Sequence, residues 1–325
     1  MNKTKEELLK KITDVLSQEQ FDYFPKELYE PIKYTMSLGG KRIRPLMTLL
    51  SCDMFGGQIE DAVYPAVGLE IFHNFTLIHD DILDNASLRR GVATVFKKWD
   101  INRAILSGDT MFALSYDYFF KTKESFILPV LQIFNKTAIE VCQGQQYDMN
   151  FETQKEVSID DYLEMIRLKT AVLLGACVKI GAVIGKASDE EATLIYNFAE
   201  NLGIAFQLKD DILDVYSDQD VFGKKTGGDI VTNKKTYLYL KALELSDNKQ
   251  KEALEYWFGL TDTDADVKIN SVKGIYNGLS IKQVTESEIN KYYQKALNNI
   301  DYIKVDNVKK DIFLEFAHNL MNREK

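Results

Sequence analysis

Cysteine is scarce in this 325-residue chain: Cys52, Cys142 and Cys177 lie far apart, with no CxxC spacing. That count excludes a disulfide framework and a structural zinc site. Histidine is equally sparse, at three (His73, His79, His318), which leaves little material for a histidine-rich metal centre. Positive charge is in deficit, with 40 Lys and Arg against 49 Asp and Glu and a net charge of −9. No basic patch is denser than Lys41-Arg42-Ile43-Arg44, so a nucleic-acid partner is not expected. Apolar runs are short, none reaching the length that spans a bilayer, and MNKTKEELLKKITDVL has no apolar core behind its lysines. The expectation is a cytoplasmic protein with no stable membrane insertion. Hydrophobic residues at 45% and charged residues at 27% suffice for a sizeable core and exclude wholesale disorder.

Proline is the last scarcity, and it is uneven. All five prolines fall at or before Pro129. The proline-free remainder carries apolar residues at three- and four-residue intervals, as in Ile166-Leu168-Ala171-Leu174 and Tyr196-Phe198-Leu202-Ala205-Leu208. That period is helical. At the N-terminus, Leu8, Leu9, Ile12 and Leu16 mark an amphipathic helix, and Ser188-Asp189-Glu190-Glu191 reads as a capped helix start. Strand-like alternation is hard to find, and no Gly-, Ser- or Pro-rich linker divides the chain. The reading is an all-α, single-domain helical bundle over residues 1–325.

The pentapeptide DDILD occurs twice, as Asp80-Asp81-Ile82-Leu83-Asp84 and Asp210-Asp211-Ile212-Leu213-Asp214. On a helix, Asp80 and Asp84 share one face, as do Asp210 and Asp214. Like charges at that spacing repel, and more strongly when shielded from water. One such motif in an acidic chain is most often a solvated helix face. Two identical copies in apolar helical surroundings ask for cations instead, and a few oxygen ligands with room for phosphates suit Mg²⁺. Neither copy has the glycine and closing glutamate of a calcium EF-hand loop. Basic residues accompany the acids: Arg89-Arg90 after the first cluster, GGKRIRP upstream (residues 39–45), and GKKTGGD followed by Asn233-Lys234-Lys235 after the second. Cations beside metal carboxylates are what diphosphate recognition needs. GGKRIRP lacks P-loop spacing and a preceding strand.

These segments, with AILSGD (104–109), GQQYD (144–148), Lys169-Thr170 and FQLKDDILD (206–214), follow one another in the order and spacing of the trans-prenyl diphosphate synthases. The chain resembles that family, the polyprenyl synthetases, over nearly its whole length. The resemblance implies a helical bundle around a deep central cavity, a homodimer, and head-to-tail condensation of isopentenyl diphosphate with an allylic diphosphate. It implies Mg²⁺, three ions per site, bound directly by Asp80, Asp84 and Asp210, with Asp81, Asp211 and Asp214 holding the metals' water. It assigns Arg89, Lys169 and Lys224 to the allylic diphosphate, helped by Gln207 and Lys234, with Thr170 beside Lys169 in the catalytic set. Lys41, Arg44, His73 and Arg90 go to the isopentenyl diphosphate, while His79 reads as structural. Where the family usually has a proline and then a histidine after Arg89-Arg90-Gly91, this chain has Ala93 and Phe96. That predicts a local loop change with activity retained.

Product length in this chemistry follows the cavity floor. Phe75 and Phe72 precede Asp80 by five and eight residues, about 7.5 Å and about 12 Å along a helix, on neighbouring faces. They are the expected floor, with Thr76 the adjacent non-aromatic position, and the expected product is farnesyl or geranylgeranyl diphosphate. The alternatives are a class I terpene cyclase, a longer-chain synthase, a silent partner subunit and a phosphohydrolase around His79-Asp80. The second DDILD and GGKRIRP count against the cyclase, the intact clusters against the silent subunit, and the scarce histidines against the hydrolase. Residues 262–284 have no functional reading, and the tail Asn322-Arg323-Glu324-Lys325 either closes over a site or frays.

Overall fold

A computed structural model describes residues 4–217 and 226–321. The described residues pack as two compact units: 4–135, 176–193 and 305–309 in one, and 136–175, 194–217, 226–304 and 310–321 in the other. Each is described by itself.

The first unit is built on α1 (Lys5–Gln18), α2 (Lys26–Ser37), α3 (Ile43–Met54), α4 (Ile59–Leu83), the short α5 (Val95–Lys98) and α6 (Ile101–Phe119). It also takes in the start of α7 (Glu124–Thr153), the C-terminal part of α9 (Val172–Ile184) and the start of α10 (Asp189–Tyr216). Thr4 and Glu7 close a capping box on α1, whose Leu8 and Ile12 are buried as the apolar spacing predicts. α4 is the spine, packed along α6 and against α3. Pro31, Pro45, Pro65 and Pro129 lie inside α2, α3, α4 and α7, so helices tolerate four of the five prolines within their first two turns. Between α4 and α5 a two-residue antiparallel hairpin pairs Leu88 with Ala93 and Arg89 with Val92. This is the loop where the family pattern breaks, and Phe96 is buried on α5 just after it. The Ser51 hydroxyl on α3 donates to the Val178 carbonyl at 2.6 Å, tying α9 to this unit.

The second unit contains α8 (Ile159–Ile166), a π-helical turn (Arg167–Ala171), α11 (Gly228–Val231), α12 (Tyr237–Leu245), α13 (Asn248–Gly259), α14 (Ala265–Gly278) and α15 (Ile281–Asp301), with most of α16 (Asn307–Met321). Its core joins Tyr162, Ile166, Ala205, Leu208 and Ile212 to Leu238, Leu254, Val272 and Tyr276. The predicted start of α10 is present, with the Ser188 hydroxyl accepting from the Glu191 amide and Glu191 reaching back. Among the described residues one helix, α7, is long and apolar enough to cross a membrane by length and composition.

Candidate active site

The first acidic cluster closes α4. Asp80 and Asp81 sit in its last turn, and Asp84 is the C-cap, its amide donating to the Asp80 carbonyl at 2.8 Å. Asp80 and Asp84 therefore share a face, while Asp81 turns inward and is 4% exposed. The hairpin carries Arg89 back onto this helix end. Its Nε and Nη2 reach Asp81 Oδ1 at 2.8 and 2.7 Å, and Nη2 lies 3.5 Å from Asp80 Oδ2. Burial pushes the Asp81 carboxyl up, Arg89 opposes that, and the neighbouring Asp80 and Asp84 charges add to it.

Four cations gather around the start of α3 in the same unit. After the Gly39-Gly40 turn, Arg42 takes a left-handed conformation (φ 49°) and caps α3. Its Nη1 donates to Glu70 Oε1 at 2.5 Å and its Nη2 to the Met36 carbonyl at 3.0 Å, so its charge is used internally. Glu70 is 3% exposed and also accepts from the Asn74 amide at 3.3 Å. Arg44 lies two residues on from the cap, and its Nη1 donates to His73 Nε2 at 3.1 Å. Burial first, then the Arg44, Arg90, Arg89 and Arg42 charges, hold the His73 imidazole well below its usual range. The ring is therefore neutral and accepts at Nε2, placing its proton at Nδ1. Arg44 Nε is buried without a hydrogen-bond partner. Arg90 donates to the Gly39 carbonyl, and Lys41 is exposed at the turn. Lys41, Arg44, His73 and Arg90 are thus brought to one corner, with an unused buried donor suited to an anion.

Below Asp80 the same helix carries the aromatic pair. Phe72 is fully buried and Phe75 nearly so, their ring centroids 5.4 Å apart. Phe112 of α6 stacks on Phe75 at 5.2 Å with the planes 10° apart, and Phe134 meets Phe72 edge-on at 5.0 Å. The Thr76 hydroxyl donates to the His73 carbonyl of its own helix. His79 packs edge-on against Phe75 and lies 3.3 Å from the Ile105 carbonyl and 3.7 Å from Asp109 Oδ1.

The second unit holds the other acids on α10. Asp211 is buried, accepts from the Tyr162 hydroxyl at 2.5 Å, and lies 3.5 Å from Gln207 Nε2. Burial and the Asp229 charge push its carboxyl up to about 8 against the hydrogen bonds from Tyr162 and Gln207. Asp214 Oδ2 accepts from the Asp229 amide at 3.1 Å, and its carbonyl from the Gly227 amide at 2.6 Å. Lys169 and Thr170 stand on the π turn. Lys169 Nζ lies 2.6 Å from Asp148 Oδ2, and Thr170 Oγ1 is 3.5 Å from Gln207 Oε1. The turn presses on α7 at Gly144, where any Cβ would come within 2.2 Å of the Lys169 backbone nitrogen. Such irregular turns are frequent at functional sites. Lys235 donates to the Phe151 and Gln154 carbonyls at 2.6 and 2.5 Å, while its neighbour Lys234 is exposed. Lys224 and the tail 322–325 lie outside the described residues.

Known proteins place this arrangement. The chain matches the family described as polyprenyl synthetase over residues 25–276. A geranylgeranyl diphosphate synthase of Methanosarcina mazei is 35% identical over 302 residues, 92% of this chain and 91% of that protein. A geranylfarnesyl diphosphate synthase of Natronomonas pharaonis is 36% identical over 236 residues, 67% of this chain and 69% of that one. A crystal structure of a geranylgeranyl pyrophosphate synthase superposes with a TM-score of 0.94 at 43% identity, covering 99% of this chain and 100% of that chain. The chain belongs to the polyprenyl synthetase family. It is a prenyltransferase of the short-chain prenyl diphosphate synthase type, with that all-α fold.

The donor set suits a hard cation. Among the described residues no three His, Cys, Asp or Glu side chains converge as a metal cage. Mg²⁺ does not require one, since it binds through one or two carboxylates, waters and substrate phosphates. The i,i+4 carboxylate pairs supply that number in each unit. Sequence reasoning missed Glu70 and Tyr162, and gave Asp148, the last residue of GQQYD, no role of its own. Glu70 stands in an otherwise apolar stretch (Ala66 to Phe72), and a charge there is itself a signal that a buried partner exists.

Proposed function

We propose that the chain condenses isopentenyl diphosphate with an allylic diphosphate to give geranylgeranyl diphosphate, with farnesyl diphosphate the shorter option, and that residues 1–325 act as one catalytic domain. The observation that carries this reading is the Arg44–His73 pair: a half-buried guanidinium whose buried Nε has no hydrogen-bond partner, beside a neutral imidazole, suits an anion. It supports a second diphosphate position, which a terpene cyclase does not use. The twenty-carbon product is supported by the geranylgeranyl diphosphate synthases among the relatives and by the Phe72–Phe75–Phe112 floor.

In this reading Lys41, Arg44, His73 and Arg90 hold the isopentenyl diphosphate. Lys169, Lys224, Gln207, Lys234 and Arg89 hold the allylic diphosphate, and Thr170 braces Gln207. Asp80, Asp84 and Asp210 would hold three Mg²⁺ ions, with Asp81, Asp211 and Asp214 around their water, and the ions would supply positive charge toward the leaving diphosphate. The chain's own cations act in the same sense, and Arg44, Arg89 and Lys169 are held by His73, Asp81 and Asp148 before the allylic C–O bond breaks. The isopentenyl double bond attacks the allylic carbon, and the proton lost passes to the departing diphosphate. No side-chain base is required, which suits a neutral His73 engaged by Arg44. Phe75 and Phe72 stop the growing chain.

A homodimer is supported by α7, long and apolar, with Leu128, Ile139, Tyr147 and Met149 exposed in the single chain. A second copy covering that face accounts for it better than a lipid bilayer, because α7 also carries Lys136, Glu140, Asp148 and Glu152. A cytoplasmic location follows from the same reading. The test is a split in kinetic constants. Lys41→Ala and Arg44→Ala should raise KM for isopentenyl diphosphate and leave that for farnesyl diphosphate near wild type, while Lys169→Ala should do the reverse. If neither cation set discriminates between the substrates, the assignment is wrong.

A further inference from the structure

Residues 262–284 contain a charge that the reaction does not explain. Lys268, on the first turns of α14, is 1% exposed. Among the described residues no carboxylate forms an ion pair with it. Its Nζ donates to Asn233 Oδ1 at 2.5 Å and to the Leu260 carbonyl at 2.9 Å, and lies 5.9 Å from the centre of the Phe258 ring. Burial lowers its pKa. Among the described residues an ammonium so placed is stabilised only by neutral groups, two oxygens and the Phe258 ring, and a methionine of similar length fills the same space without that desolvation cost. Packing alone does not account for the lysine.

What it holds is specific. Asn233 is in the left-handed conformation (φ 59°), its amide nitrogen donates to the same Leu260 carbonyl at 3.2 Å, and it immediately precedes Lys234. The Lys234 amide donates to the Asp229 carbonyl at 2.9 Å, completing the turn. The next residue of α14 braces the other end of this segment. Ile269 lies under Gly227, where a Cβ would come within 2.7 Å of its side chain, and Gly227 (φ 83°) donates to the Asp214 carbonyl. Two consecutive residues of α14 thus fix both ends of the stretch from Gly227 to Lys234.

We infer that Lys268 is a positioning residue for prenyl transfer: by gripping Asn233 it sets the turn that presents Lys234 to the allylic diphosphate. This rests on the proposed role of Lys234. The decisive variants are Lys268→Met, Asn233→Gly (which keeps the backbone freedom and removes the amide), their double, and Lys234→Ala. Each is assayed for KM toward farnesyl and isopentenyl diphosphates, kcat and Tm. Lys268→Met should raise the farnesyl diphosphate KM about ten-fold, the loss of one charge-assisted hydrogen bond. The isopentenyl diphosphate KM should hold, and Tm should be unchanged or higher. Asn233→Gly should reproduce the KM shift, and the double variant should add nothing further. A wild-type farnesyl diphosphate KM in Lys268→Met, alongside a raised one in Lys234→Ala, overturns the inference. So does a parallel fall in Tm, kcat and both affinities, which marks a merely structural lysine. An unchanged KM in Lys234→Ala instead removes the role of Lys234, and the inference with it.

Discussion

Replacing Phe75 by alanine should lengthen the product by about one isoprene unit. Phe75 lies five residues before Asp80 and Phe72 eight, so removing the first ring lowers the floor by about 4.5 Å along α4. That depth is close to one five-carbon unit. Phe75 is nearly buried and stacks on Phe112, so the change should also cost about 3–5 kcal/mol in transfer and cavity terms, including the ring pair. The variant therefore needs a Tm measurement beside the assay, made at a temperature where it remains folded. Because the Phe112 ring lies parallel to the vacated space, Phe75→Ala/Phe112→Ala should lengthen the product further, and Phe72→Ala combined with Phe75→Ala further still. The assay is chromatography of products labelled from isopentenyl diphosphate. A folded, active Phe75→Ala enzyme and both double variants with the wild-type product distribution would refute the floor.

Three other perturbations follow from buried charges. Glu70→Leu strands the Arg42 guanidinium and should lose about 3–5 kcal/mol in denaturant unfolding, whereas an effect below 1 kcal/mol would show that Arg42 finds water. His73 has its folded pKa depressed below 6.5, so the unfolded chain takes a proton first as pH falls. Its contribution is therefore complete above pH 6.5 and lost below it, and His73→Gln should flatten that part of the Tm–pH curve; an unaltered slope would contradict a neutral ring at this half-buried position. Asp211 has its folded pKa raised from 3.8 to about 8, so in EDTA stability should decline as pH rises through that window and level off above it. Asp211→Asn should remove the decline, and an identical decline in the variant would place its origin elsewhere.

The helices were legible because their signals are local. Apolar spacing and the Thr4 and Ser188 caps act within a few residues, and the structure carries both caps. Both DDILD motifs were legible because an i,i+4 pair fixes its own geometry once the helix is given. The π turn at Arg167–Ala171 was not, since it depends on Gly144 of another helix admitting a close backbone approach. Nor was the hairpin at residues 88–93, too short to alternate. Arg42 and Arg44 look alike in GGKRIRP, yet one is taken up by Glu70 and the other keeps a free buried donor. Only tertiary packing separates them. Lys268 was opaque for the same reason: in sequence it is one more lysine on a polar helix.

The central claim is that this chain extends an allylic diphosphate. Purified protein is incubated with labelled isopentenyl diphosphate and farnesyl diphosphate, with Mg²⁺ or with EDTA, and the extracted products are separated by length. The account predicts a linear twenty-carbon diphosphate formed with Mg²⁺ and absent with EDTA. No label incorporated from any allylic primer, or a cyclised hydrocarbon formed from the primer alone, would contradict it.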